Sequence, residues 1–118
     1  MFDLRIEKDY PAFSSWLKRQ GISSWCVVTA CNPGGKLSHG QNVARTLRLL
    51  DEIAQRGWRH AAACNRADDG TWPDEPGFCV FDADEKVLCM LAIQFGQTAI
   101  VCGSADDGRG EIVWLDGH

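Results

Sequence analysis

The segment Ser24–Ala30 constrains the fold of this chain more than any other. It reads Ser-Trp-Cys-Val-Val-Thr-Ala, and both of its alternating faces are apolar. Successive side chains of a strand point to opposite sides of a sheet, so a strand with two apolar faces needs cover on both sides. We therefore predict a central strand that is covered on each side.

Three helices are expected around this strand. Ser38 and Gln41 form a capping box at the start of the longest one, and Asp82 with Glu85 resembles a second capping box. Asp9 is the expected cap of the first helix. The predicted helices are Pro11–Gln20, Ser38–Arg56 and Asp82–Phe95, ended by Gly21, Gly57 and Gly96. The apolar stripe of the longest helix is predicted to consist of Val43, Leu47, Leu50 and Ala54.

The order of the elements predicts an α+β fold. The further expected strands are Trp58–Cys64, Gly77–Asp82, Thr98–Cys102 and a possible C-terminal edge strand, Glu111–Leu115. Two strand–helix–strand units in series indicate the split βαβ arrangement of ferredoxin-like folds, with two helices packed on an antiparallel sheet. The alternative is a different α+β sheet built from the same elements. We expect a single domain over residues 1–118, with an N-terminal helical extension (1–22) and an α/β core (24–115).

Composition excludes several classes of partner. The chain has 118 residues and a formal net charge of −4, whereas duplex nucleic acid and anionic membranes select for basic surfaces. No apolar run approaches the roughly 18 residues of a membrane span. The first ten residues carry five charged side chains, Asp3, Arg5, Glu7, Lys8 and Asp9, so no signal peptide is expected. The expected location is the cytoplasm.

The six cysteines are interpreted as packing residues. Most of them lie in apolar runs, where reduced cysteine behaves as a small hydrophobic side chain. A zinc site usually has a Cys-x-x-Cys hook, and the chain has none. His60 and Cys64 are four residues apart, but the residues between them indicate a strand rather than a helix. The sequence therefore predicts no metal site and no cofactor.

The predicted topology brings three distant segments to one end of the sheet: Asn32–Asn42, Asp69–Glu75 and Gln97. The amino terminus of the Ser38 helix carries partial positive charge there, which suits an anion or a ligand carbonyl. Lys36 and Arg45 add positive charge, and Trp72 offers a stacking surface. Each residue also has a purely structural interpretation. Arg45 would then be solvated or paired with Glu52, and Trp72 would cover the end of the sheet.

Four motifs follow one another in a specific order along the chain: Val28-Thr29-Ala30-Cys31-Asn32-Pro33; Leu37-Ser38 followed by Asn42 and Arg45; Asp69-Gly70-Thr71-Trp72-Pro73-Asp74-Glu75-Pro76-Gly77-Phe78; and Gln94-Phe95-Gly96-Gln97-Thr98-Ala99-Ile100. Through these motifs the chain resembles, over roughly residues 24–113, the bacterial family known as domain of unknown function 3293. It departs from the family pattern at Cys31, where an aromatic or polar residue is expected, and at Gly77, where serine is expected. The resemblance implies no activity, but it marks a set of five polar residues, Asn32, Asn42, Arg45, Glu75 and Gln97.

Three hypotheses for function follow. The first is a module that binds a small polar or anionic ligand through Asn32, Asn42, Arg45, Trp72, Glu75 and Gln97. The second is an interaction domain without a ligand, which recruits a protein partner through an exposed sheet face or edge strand. The third is a small enzyme that uses Glu75 as a general base or Cys31 as a nucleophile. Gly34-Gly35-Lys36 is not a phosphate-binding loop, because Ala30 and Leu37 occupy positions where that motif needs Gly and Ser or Thr.

Overall fold

In the part of the chain that the structure describes, three helices and five strands follow one another in the predicted order. The computed structural model describes residues 10–32, 35–65 and 75–115, so the predicted cap Asp9 lies outside the described part. The elements are α1 (Pro11–Arg19), β1 (Ser24–Thr29), α2 (His39–Gln55), β2 (Arg59–Asn65), β3 (Glu75–Phe81), α3 (Glu85–Gln94), β4 (Ala99–Ser104) and β5 (Gly110–Trp114). Within these ranges, no helix has both the length and the apolar character that crossing a membrane requires.

The five strands form one sheet in the order β2-β3-β1-β4-β5, and every neighbouring pair is antiparallel. β1 and β2 therefore run in the same direction with β3 between them, and α2 connects them. β3 and β4 are likewise parallel to each other on either side of β1, and α3 connects them. This α+β architecture confirms the predicted fold class and is compatible with the ferredoxin-like arrangement. β5 is the predicted C-terminal edge strand.

The central strand β1 is covered on both faces, as predicted. Cys26 and Val28 pack into a core with α2 and α3, whereas Trp25 and Val27 pack on the other face with α1. Burying a large apolar side chain contributes about 2–3 kcal/mol, so the cover on both faces is a main source of stability. The molecule consequently has three layers, with the sheet between α1 and the α2–α3 pair.

Glycines in β4 and β5 make room for the indole of Trp25, which is 1% exposed. A Cβ atom on Gly103 would lie 2.6 Å from the Trp25 ring, and one on Gly110 would lie 2.7 Å from it. The indole N–H donates to the carbonyl of Ser104 at 3.3 Å. The β4–β5 hairpin is therefore fitted to a single large aromatic side chain.

The start of α2 has the predicted capping box. The Ser38 hydroxyl accepts from the backbone N–H of Gln41 at 3.1 Å, and the Gln41 side chain accepts from the N–H of Ser38 at 2.9 Å. Glycines at positive φ follow α1, α2 and α3 at the three predicted positions, Gly21, Gly57 and Gly96.

The predicted capping box at Asp82 is wrong. Asp84 is the cap of α3, and its carboxylate accepts from the N–H groups of Lys86 and Val87. Asp82 instead has φ +55° and accepts from the N–H groups of Ser23 and Ser24 at 2.9 and 3.0 Å. Its carboxylate thus connects the end of β3 to the start of β1, because the two strands are antiparallel neighbours.

Candidate functional site

Five of the six predicted site residues meet at one end of the sheet. The end of β1, the first turns of α2, the start of β3 and the segment after α3 converge there. Asn32, Asn42, Arg45, Glu75 and Gln97 lie on these elements. Trp72, the sixth, lies outside the described residues, as does most of the predicted Asp69–Glu75 segment.

Asn32 is at the centre of the polar contacts. Its backbone has φ +49°, a conformation that asparagine tolerates better than most residues. Its side-chain oxygen accepts from the N–H of Leu37 at 2.8 Å, and its amide nitrogen donates to the Glu75 carboxylate at 2.8 Å. Asn42 donates to the same side-chain oxygen at 2.9 Å and accepts from the backbone N–H of Asn32 at 3.0 Å. These bonds hold the loop after β1 against both α2 and β3.

Arg45 points into the protein rather than toward solvent. Its Nε donates to the carbonyl of Ala30 at 2.7 Å, and its Nη2 donates to the carbonyl of Phe95. The guanidinium also lies over the Phe95 ring, 5.7 Å from its centroid. The prediction that this side chain is open to solvent or ligand is wrong, because two carbonyl groups at the ends of β1 and α3 bind it. Glu52 pairs with Arg56 instead, at 2.9 Å.

Gln97 also connects the end of β1 to the end of α3. Its side-chain amide donates to the carbonyl of Cys31 at 3.1 Å and to that of Phe95 at 3.4 Å. Arg45 and Gln97 together bind carbonyl groups that strand and helix ends leave without partners within their own elements. These two residues therefore position the backbone of the site through its carbonyl groups.

A cavity of about 480 Å³ opens beside this network, between the first three turns of α2, the end of β1 and the start of β3. We call it the α2 cavity. Its polar side is formed by Asn32, Asn42, Cys31 and Thr46, and Lys36 and His39 add two basic side chains. Arg45, Glu75 and Gln97 do not contribute to its lining. The predicted site thus divides into two residues that line the cavity and three that hold its walls.

The other side of the α2 cavity is apolar and was not predicted as part of a site. It is formed by Leu37, Val43, Leu47 and Pro76. Val43 and Leu47 were predicted to face the core, but they are 42% and 60% exposed, whereas Leu49 and Ile53 are fully buried. The face of α2 that packs on the sheet is therefore rotated away from the predicted stripe. These two large apolar side chains at an open cavity indicate a candidate binding surface, but they can be recognised only once the orientation of α2 is known.

Cys31 forms the innermost part of the polar side. It is 2% exposed, and its thiol lies 3.7 Å from the Thr46 hydroxyl and 3.6 Å from the Pro76 carbonyl oxygen. Thr29 also donates its hydroxyl to the Pro76 carbonyl at 2.9 Å. A nucleophilic cysteine needs a neighbouring cation or helix amino terminus to stabilise its thiolate. The two contacts of the Cys31 thiol, a hydroxyl and a carbonyl oxygen, do not provide that stabilisation.

Gly77 has a structural reason to be glycine. It lies opposite Thr29 in the β1–β3 register, and a Cβ atom on it would be 2.2 Å from the carbonyl oxygen of Val28. Real Cβ atoms do not approach a backbone oxygen this closely, so the serine expected here would require the two strands to move apart.

The comparisons with known proteins agree with the predicted resemblance. No curated protein and no solved structure matches the chain. One family model matches residues 28–100, more than half of the chain, and this range includes all the described residues of the α2 cavity and its supporting network. The chain therefore belongs to the family described as protein of unknown function (DUF3293).

Proposed function

We propose that this domain binds a small molecule with a polar or anionic end and an apolar part in the α2 cavity. The observation that carries the proposal is the cavity itself, in which side-chain amides and apolar side chains face the same open space of about 480 Å³. Ligand sites are typically concave, largely apolar and supplied with a few fixed polar groups, over volumes of roughly 300–1,000 Å³.

Rigid support of the polar groups favours this function. Asn32 and Asn42 are fixed by their mutual hydrogen bonds and by Leu37 and Glu75. Binding groups that are held in place before the ligand arrives lose little conformational entropy on binding. Lys36 and His39 at the same cavity favour an anionic group over a cationic one.

The exposed apolar wall allows a direct test. Leu47→Glu replaces apolar surface of the α2 cavity with a negative charge at a side chain that is 60% exposed, so folding is expected to be preserved. Met90→Glu on α3 is the matched control, because Met90 is 63% exposed and does not line the cavity. A panel of small carboxylates and phosphates is screened by thermal shift, since a ligand raises the stability by RT ln(1 + [L]/Kd).

The expected result is that at least one compound stabilises the wild type and Met90→Glu but not Leu47→Glu. The proposal is wrong if no compound in the panel shifts the melting temperature, or if the active compounds stabilise Leu47→Glu equally well.

The edge strand β5 favours a second candidate function, recruitment of a protein partner. Trp114 is 72% exposed and Ile112 is 41% exposed on this strand. Edge strands offer unpaired backbone groups to an added strand, and exposed aromatic side chains commonly anchor interfaces. The test is affinity capture from the native host, in which Trp114→Ser is expected to lose a partner that the wild type and Met90→Ser retain. Equal capture by all three proteins would contradict it.

A further inference from the structure

Two buried cysteines lie side by side at the end of the sheet opposite the α2 cavity. Cys26 on β1 and Cys102 on β4 are directly paired in the antiparallel register, and they are 6% and 8% exposed. Both thiols point to the face covered by α3. Glu85, the first residue of α3, is exposed and brings its carboxylate to the same place. The two sulfur atoms and a Glu85 oxygen all lie within 4.8 Å of one another.

We propose that Cys26, Cys102 and Glu85 form a binding site for a divalent metal ion of the zinc class. Three ligand atoms around one point are the protein contribution to an open tetrahedral site, with solvent in the fourth position. Zinc–sulfur and zinc–oxygen bonds of about 2.3 and 2.0 Å place tetrahedral ligand atoms roughly 3.5–4 Å apart, so small side-chain adjustments are enough. The exposed carboxylate leaves an entry path from the amino terminus of α3.

The donor set selects the metal. Thiolate sulfur favours zinc and similar borderline or soft ions, whereas magnesium and calcium require oxygen ligands almost exclusively. Burial favours a metal over free thiolates, because two buried anionic sulfurs without a counter-charge would be strongly unfavourable. A divalent ion with two thiolates and one carboxylate has a net charge of −1, and the partial positive charge at the start of α3 stabilises such an anionic complex.

The separation of the two cysteines along the sequence explains why no cysteine motif indicates the site. Only the pairing of β1 with β4 brings residues 26 and 102 together.

The experiment is a cobalt titration of the full chain after chelator treatment, under a non-thiol reductant that prevents a Cys26–Cys102 disulfide. Co²⁺ reports thiolate ligation by near-ultraviolet charge-transfer absorption and tetrahedral geometry by visible bands. We expect saturation at one equivalent and displacement by Zn²⁺. Cys26→Ser and Cys102→Ser are expected to lose the charge-transfer signal, and Cys64→Ser on β2 is the control that retains it.

Glu85→Gln keeps the test decisive if the buried serine variants fail to fold. Its side chain is exposed, so the fold is expected to survive, as circular dichroism would verify. Loss of this ligand should weaken Co²⁺ binding by at least the roughly tenfold that loss of an outer-shell partner costs. The proposal is overturned if the wild type gives no charge-transfer signal, if the signal persists in folded Cys26→Ser and Cys102→Ser, or if Glu85→Gln binds Co²⁺ as tightly as the wild type.

Discussion

Asn32 and Asn42 bind each other twice, once through the two side chains at 2.9 Å and once from the Asn32 backbone N–H to the Asn42 side-chain oxygen at 3.0 Å. This pair fastens the loop after β1 to the second turn of α2. The geometry of the α2 cavity therefore depends on two amide side chains that are ten residues apart in the sequence.

The first prediction concerns the energetic coupling of this pair. Asn32→Gly keeps the positive φ without strain and removes only side-chain bonds, and Asn42→Ala removes the partner. Each change is expected to lower the free energy of unfolding by about 1–3 kcal/mol, at about 1 kcal/mol for each lost hydrogen bond. In urea denaturation, the double variant should lose at least about 1 kcal/mol less than the sum of the singles, and strict additivity would contradict the pairing.

The second prediction separates Arg45 from its neighbour Arg48. Both guanidinium groups lie over the Phe95 ring, at 5.7 and 5.6 Å from its centroid, but Arg45 also donates to the carbonyls of Ala30 and Phe95. Arg45→Lys should cost about 1–3 kcal/mol, because an ammonium group cannot reproduce the planar fork that binds both carbonyls. Arg48→Lys should stay within about 0.5 kcal/mol of the wild type. Equal melting temperatures for the two variants would show that the carbonyl bonds contribute nothing.

The strand order could be predicted because the signals that begin and end helices, together with the handedness of crossover connections, leave few alternatives. The elements can be located from the glycines after each helix, the capping box at Ser38 and the two apolar faces of Ser24–Ala30. Right-handed crossovers then set the directions of the strands. The convergence of Asn32, Arg45 and Gln97 at one end of the sheet follows from that topology alone.

The orientation of α2 could not be predicted, because hydrophobicity identified the wrong stripe. Val43 and Leu47 look like core residues, whereas the true inner face carries Arg45 among its positions. An arginine is counted as a surface residue unless the carbonyl groups that bind it are known. The apolar side of the α2 cavity therefore could not be predicted. The Cys26–Cys102 pair could not be predicted either, because the β1–β4 register and not the spacing along the sequence brings the two residues together.

The third prediction tests the close contact at Gly77. Gly77→Ser places a Cβ atom 2.2 Å from the Val28 carbonyl oxygen and must separate β3 from β1. We expect a loss of about 1–3 kcal/mol or more, as for overpacking in a core. Gly40→Ala is the control, since a Cβ atom there meets nothing within 4 Å, and alanine in a helix should stabilise by up to about 1 kcal/mol. A neutral Gly77→Ser variant in thermal unfolding would contradict the strand contact.

The fourth prediction concerns alkaline pH. Burial, with a smaller effect of Cys102, raises the pKa of Cys79 from 9.0 to about 12. Below pH 9 the thiol is protonated in both states, so its contribution to stability is fully present. Between pH 9 and about 12 the unfolded chain releases this proton and the folded chain keeps it, so the free energy of unfolding falls as pH rises, by up to about 1.4 kcal/mol for each pH unit. Cys79→Ala removes the ionisation of this thiol. The unfolding free energy of the variant, measured by urea denaturation between pH 8 and 10.5, should therefore fall less steeply with rising pH than that of the wild type. Part of the slope should remain, because the pKa of Cys102 is also raised. If wild type and variant lose stability in parallel, Cys79 ionises as readily in the folded protein as in the unfolded chain, and its burial under α1 does not control its protonation.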